Sequence, residues 1–156
     1  MGVAKAVKGY LLSHDIDYDL IEHEPTMTAS EAASASHISP GKVAKGVLIK
    51  GEDGYLVAVV PANRRILLDE LEACMQEAVN IATEEEAAGV LTDCSRGAIP
   101  PVGDPYGLDV IVDYSLDMLG DVYFEAGDHR TLVHVTDDQF ARMTEDALHG
   151  SFSSPN

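Results

Sequence analysis

The chain has 156 residues, 27 of them acidic against 10 basic, a formal net charge of −17 and 46% hydrophobic residues. A length of this order gives one domain with a real core, and no apolar run is long enough to span a bilayer. A field this negative excludes a general nucleic-acid binder, because such affinity comes largely from neutralised phosphates; any contact must be local.

In chain order, Val3, Val7, Tyr10, Leu11 and His14 fall at helical spacing with lysines outside, which predicts an amphipathic helix over 3–14. DYDLIEHE alternates and reads as a strand. Thr28, three residues before Glu31, has the capping pattern that opens a short helix, EAASASH. Ser39-Pro40-Gly41 is a turn. VLIK, GEDG and YLVAVV then read as a hairpin, ended by Pro61. ILLDELEACMQEA is mostly helical and leads to a short strand, VNIA. Thr83 caps EEEAAGV. Residues 93–107 carry three prolines and three glycines and form a loop. LDVIVDYSL is strand and turn, DVYFEAG a strand, and TLVHV another. Thr136 or Asp137 caps a helix, TDDQFARMTEDAL. The expected organisation is one domain over 1–150 and a frayed tail over 151–156. Short strands, direct hairpins and strand–helix–strand links together predict a mixed α/β (α+β) fold, with a barrel-like sheet flanked by helices.

Three segments are candidates for chemistry. Lys45 stands just before an apolar strand, and lysine is rarely buried unless paired or working. Five of the ten cations, Lys42, Lys45, Lys50, Arg64 and Arg65, fall between positions 42 and 65. This suggests a site for an anion or a polarised carbonyl, although a solvated face has the same composition. The loop Gly97-Ala98-Ile99-Pro100-Pro101-Val102-Gly103 joins glycine freedom to proline stiffness, which suits it to present backbone N–H groups to a ligand oxygen; an ordinary tight connection is the competing reading. The turn Glu125-Ala126-Gly127-Asp128-His129-Arg130 places a titratable imidazole between two strands.

Other chemistries find no support. There is no P-loop, GxGxxG after a strand, HExxH, EF-hand loop or GxSxG. Cys74 and Cys94 form no CxxC pattern and have no histidine at metal spacing, so they read as packing or surface thiols. His134 reads as facing solvent or a strand neighbour, and His14, His23, His37 and His149 carry no partner pattern. No metal or other cofactor is expected. The first residues lack a secretory pattern, and Ala6 stands where a lipidation motif at Gly2 needs Ser or Thr, so the expected location is the cytoplasm.

Taken together, IEHEPTMTASEAA, KVAKGVLIKGEDGYLVAVVPANRRI, GAIPPVG and VYFEAGDHRTLVHVTDDQF, in this order over about 3–142, resemble the YbaK/prolyl-tRNA synthetase-associated domain family of aminoacyl-tRNA deacylases. The resemblance implies a free-standing domain that hydrolyses the ester joining a wrong amino acid to the 3′ end of a tRNA. It implies that Lys45 is the residue most closely tied to activity. The Gly-x-x-x-Pro loop, Gly97, Ala98, Ile99, Pro100 and Pro101, would hold the aminoacyl group, and the late turn, Gly127, Asp128 and His129, would complete the site. The family's best-known substrates make Cys or Ala on tRNA(Pro) the first guess. The implied partners are the CCA end of a tRNA and a synthetase such as prolyl-tRNA synthetase, with no membrane and no DNA. Lys42, Arg64, Arg65 and Arg130 are the cations available to that end. Two other readings stay open: a module that binds an aminoacyl-tRNA end, an aminoacyl-adenylate or a nucleotide without turnover, and a non-catalytic partner of a synthetase.

Overall fold

In the computed structural model, which describes residues 3–117 and 119–156, three small sheets and five helices are laid down in chain order. Gly2, read above as no lipidation site, lies outside the described residues. Helix α1 (Lys5–Ser13) turns Val7, Tyr10 and Leu11 inward. It lacks a side-chain N-cap, and the distant Asp93 carboxylate accepts from the Ala6 N–H at 3.0 Å in its place. Strand β1 (Asp19–Glu22) follows, and then α2 (Ala29–Ala35), where the Thr28 hydroxyl accepts from Glu31 N–H at 3.1 Å. The small side chains of Ala29 and Ala33 let α2 lie against Val43 and Ala62.

Strands β2 (Ala44–Lys50) and β3 (Tyr55–Pro61) form the expected hairpin, in register from Ala44–Pro61 to Lys50–Tyr55. Strand β4 (Arg64–Ile66), α3 (Leu68–Met75), β5 (Asn80–Ile81) and α4 (Glu84–Val90) come next. The helix read over 66–78 is shorter than expected. Ile66 is drawn into β4, and Gln76, at φ +58°, ends α3 in the left-handed region. Thr83 and Glu86 make the reciprocal capping box that opens α4. Then follow β6 (Asp109–Asp113), β7 (Asp121–Glu125), β8 (Thr131–Thr136), α5 (Asp137–Met143), β9 (Leu148–Gly150) and β10 (Ser153–Pro155). The last helix also stops early, because Thr144 Oγ1 donates back to Phe140 O at 2.9 Å and Leu148 leaves to pair with β6.

The largest sheet has the order β5-β2-β3-β6-β9, parallel at β3–β6 and β6–β9 and antiparallel elsewhere. A second sheet, β1-β8-β7, is antiparallel throughout, and β10 pairs with β4. One parallel bridge, Val43–Tyr123, links the two larger sheets. The fold is the expected mixed α/β single domain, but no barrel closes among the described residues. Strand β3 is buried on both faces, which explains its unbroken apolar sequence. Val57 and Val59 enter one core with Leu11, Phe124 and Val133; Leu56, Ala58 and Val60 enter another with Leu71 and Phe152. No described helix is long and apolar enough to cross a membrane.

The tail expected to fray is built into the sheet instead. Phe152 is fully buried. Its N–H donates to Asp113 Oδ1 at 2.9 Å, and its carbonyl accepts from Leu67 N–H at 2.7 Å. Ser153–Pro155 then pairs with β4. One aromatic side chain within a polar run supplies the anchor, which a composition reading of that run passes over. Burial raises the Asp113 carboxyl pKa, but hydrogen bonds from Phe152 N–H and Ser115 outweigh it and hold the group below its ordinary value. The Asp113 contribution is therefore present above the unfolded carboxylate pKa of about 3.9 and is lost as pH falls through the lower folded value. Phe152→Ala is expected to destabilise the fold by about 3–5 kcal/mol. Urea unfolding checks this, and a loss below about 1 kcal/mol would show that the tail is not part of the core.

Candidate functional site

Lys45 is the second residue of β2, opposite Val60 of β3, and it is half-buried. Burial pushes its ammonium pKa below the ordinary lysine value. Among the described residues its ammonium has no hydrogen bond or ion pair, although the chain carries 27 acidic side chains. The second edge of β2 meets β5 only at Ile49 and Lys50, so among the described residues no strand pairs with Lys45 to Val47 on that side. A half-buried cation beside a gap in sheet pairing marks a candidate functional site.

The next residue, Gly46, brings the proline loop to this strand. A Cβ added at Gly46 would lie 2.7 Å from Ile99 O and 2.9 Å from Pro100 O. Only glycine permits so close an approach of two backbones. Within the loop, Gly97 takes φ +80°, Ala98 is fully buried, and Ala98 N–H donates to Ser95 O at 3.1 Å. Pro100 and Pro101 are buried and have no N–H. The N–H groups of Gly97 and Ile99 have no protein acceptor among the described residues. These two are the donors that the loop can offer to a ligand oxygen.

The late turn fixes the other end of the loop. Ser95 N–H donates to Gly127 O at 2.7 Å, and His129 Nε2 lies 2.5 Å from Arg96 O. The His129 ring also covers Gly97, whose added Cβ would lie 3.5 Å from Cε1. Gly127 itself, at φ +125°, is packed against Ala4. Asp128 is buried and accepts from Arg130 N–H at 3.1 Å and Thr131 N–H at 2.9 Å, which shapes the turn. The structure therefore brings the β2 strand, the Gly97–Pro101 loop and the 127–129 turn into one chain of contacts. It does not place the Lys45 ammonium in contact with the loop. Strand alternation directs Lys45 to the face shared with Val43 and Val47, opposite to the side on which Gly46 meets Ile99.

The remaining cations are distributed unevenly. Arg64 is occupied by the tail, with Nε 2.7 Å from Ser153 Oγ and Nη2 2.9 Å from Ser153 O. Arg65 is exposed and reaches Ser154 Oγ at 3.3 Å. Lys42, half-buried, ends the turn Pro40–Lys42, and Arg130 is exposed beside His129. Among the described residues none of these four forms an ion pair, whereas Lys50 and Arg96 are matched to Glu86 and Glu84. A cavity of about 340 Å³ lies elsewhere, lined by Tyr10, Asp104, Arg142, Glu145, Asp146 and Leu148 among others. Its several carboxylates make it a poor host for a phosphate-bearing ligand.

Two residues of the site were not singled out in the sequence. Glu125 is buried, 3% exposed, with Oε1 3.2 Å from His129 Nδ1. A glutamate between Phe124 and Ala126 on a strand is the signal that could have marked it, since carboxylates are rarely buried without a partner. Gly46 carries a comparable signal, because a glycine inside a β-branched run often marks a close backbone approach. Cys94 is near the loop, but burial pushes its thiol up to about 11, which leaves it protonated and unreactive at neutral pH.

Comparison with known proteins is consistent with this geometry. The model of the aminoacyl-tRNA editing domain matches residues 23–143, a span that contains Lys45, the proline loop and the late turn. The chain belongs to the aminoacyl-tRNA editing domain family. A structure provisionally assigned as a trans-editing enzyme for prolyl-tRNA synthetase is similar to this editing domain at 26% identity and a TM-score of 0.84, covering 96% of each chain. A hypothetical protein, APE2540, shares the fold at 22% identity and a TM-score of 0.85, covering 96% of this chain and 100% of its own. No curated protein matches the chain.

The editing domain's loop rests on the bare α-carbon of Gly46, so Gly46→Ala must displace the Ile99 and Pro100 carbonyls. The expected cost is about 1–3 kcal/mol of stability, with perturbed amide resonances at Gly97 and Ile99. Thermal unfolding and an amide spectrum check this. A variant with wild-type stability and unshifted loop resonances would show that the contact is not required.

Proposed function

We propose that this editing domain is an aminoacyl-tRNA deacylase acting in trans, with Lys45 as the charge that organises its site. The observation that carries the reading is Lys45 itself. A half-buried ammonium without a carboxylate partner, in a chain so rich in carboxylates, is a charge kept available for an anionic or polarised oxygen. Family membership supplies the reaction class, and the similarity to a protein assigned to prolyl-tRNA synthetase editing supports the trans mode.

Ester hydrolysis needs a positioned water and donors for the developing oxyanion. The free N–H groups of Gly97 and Ile99 suit the second requirement, and Lys45, on the other face of β2, suits another phosphate or carbonyl oxygen of the bound end. With the Cys94 thiol held protonated, water is the attacking group, assisted by the free hydroxyl of the terminal ribose. Positioning then carries most of the rate. Selection is by size: a pocket that admits a small wrong amino acid and excludes a larger right one discriminates through volume. Alanine and cysteine esters on tRNA(Pro) are the first candidates.

The net charge of −17 restricts how tRNA binds. The domain engages the terminal CCA through Lys42, Lys45, Arg65 and Arg130, with Arg64 engaged by the tail, and a synthetase such as prolyl-tRNA synthetase holds the tRNA body. Catalysis takes place in the cytoplasm, where aminoacyl-tRNA is made and used.

The test is deacylation of Ala-, Cys- and Ser-charged tRNAs by wild type and Lys45→Ala. One ester should be cleaved well above its spontaneous rate, with a loss of at least about 10²-fold in Lys45→Ala. The variant should be at least as stable as wild type, because it removes a desolvated charge with no partner. No cleavage of any ester, with binding of the charged end retained, would favour the non-catalytic binding module. Equal cleavage by the variant would remove Lys45 from the mechanism.

A further inference from the structure

Two hydrogen bonds of His129 impose a joint requirement on its hydrogens. Nε2 lies 2.5 Å from Arg96 O, and a carbonyl oxygen only accepts, so Nε2 is the donor. Nδ1 lies 3.2 Å from Glu125 Oε1, and that contact needs a second hydrogen. It resides on Nδ1 beside a carboxylate, or on Oε1 beside a neutral ring. Both arrangements preserve both bonds. Removing this hydrogen leaves one for two acceptors. The carboxylate then takes it through Nδ1, since a charge-assisted bond is the stronger, and the bare Nε2 lone pair faces the Arg96 carbonyl.

We propose that Glu125 and His129 act as one positioning unit, which holds the Gly97–Pro101 loop through the Arg96 carbonyl for as long as Oε1 and Nδ1 share a hydrogen. The unit is shielded from water, with side-chain exposures of 4% for Glu125 and 13% for His129. It sits where the loop begins, with the ring against Gly97. With both ring nitrogens occupied, His129 is a positioning residue and not a direct contact of the ester.

The surroundings favour retention of the shared hydrogen. Burial is the largest influence and raises the Glu125 pKa; His129 and His23 lower it, and Asp128 raises it. His23 comes from the segment after β1, with Nδ1 2.7 Å from Glu24 O and Nε2 buried without a partner. Asp128 belongs to the turn itself. The Arg96 guanidinium is directed to Glu84 at 3.6 Å and leaves only its carbonyl to the unit. Burial therefore favours retention of the shared hydrogen, and its loss as pH rises releases the loop.

The effect on catalysis rests on the deacylase reading; the clamp does not. Two readouts separate them. Long-range proton–nitrogen spectra of the imidazoles, with hydrogen exchange at the Ser95 and Ala98 amides, follow the clamp from mildly acidic to alkaline pH without substrate. His129 should carry hydrogen on Nε2 at neutral pH, and both amides should lose protection as that hydrogen is lost. Glu125→Ala and His129→Ala should lose protection at every pH. In Glu125→Gln the side-chain amide donates to Nδ1, so protection should persist and its alkaline loss should disappear. In deacylation, Glu125→Ala should lower kcat by about 10²-fold, as for a misplaced loop, and Glu125→Gln should recover most of that loss. A His129 ring with hydrogen on Nδ1 alone at neutral pH, or unchanged protection in Glu125→Ala, would overturn the proposal. Absence of wild-type deacylation would count against the deacylase reading, and the exchange result would still decide the clamp.

Discussion

The contact between Gly46 and the carbonyls of Ile99 and Pro100 is the constraint on which the site depends. It allows a loop more than fifty positions away to lie directly on the strand that carries Lys45. Without a side chain at position 46 the two backbones meet, and prolines on the loop side reduce the entropy lost in holding them there. The other fixed point is the 127–129 turn, which grips Ser95 and Arg96 through backbone and imidazole bonds. Between these anchors the loop has little freedom, and its unsatisfied donors at Gly97 and Ile99 are held in place. Preorganised donors of this kind are what the proposed stabilisation of an oxyanion requires.

The electrostatics follow a consistent plan. Most of the acidic surplus is solvated, and Lys50 and Arg96 are neutralised by carboxylates of α4. The cations around the start of β2 and the end of β3 are not. Such a molecule repels a long polyanion yet retains a small region that accepts one. This charge distribution supports the proposed recognition of a tRNA end over recognition of a tRNA body. The buried Glu125 fits the same plan, since it is paired with His129 inside the site and shielded from the outer surface.

Local chemistry made most elements legible in the sequence. The β2–β3 hairpin was marked by two apolar runs around GEDG, and the caps at Thr28, Thr83 and Thr136 each accept the backbone bond expected of them. Where the reading failed, a distant partner decided the outcome. Ile66 and Leu148 continue helical patterns but pair with strands that lie far off in sequence, and Phe152 is held by Asp113, 39 residues away. The three candidate segments were legible as motifs. Their mutual contacts were not, because those depend on what glycines 46, 97 and 127 do not carry. Glu125 was missed for a related reason: spacing alone does not show that a strand glutamate turns inward to an imidazole.

Central to the account is that the Lys45 strand, the proline loop and the late turn form one site for the aminoacylated end of a tRNA. Titration of the labelled protein with an adenosine that carries a 3′-amide-linked alanine, a hydrolysis-resistant mimic of that end, tests this most directly. Saturable amide shifts are predicted at Lys45, Gly97, Ile99 and His129. Shifts confined to the acidic cavity around Tyr10, Arg142 and Leu148, or no saturable shift at any concentration reached, would contradict it.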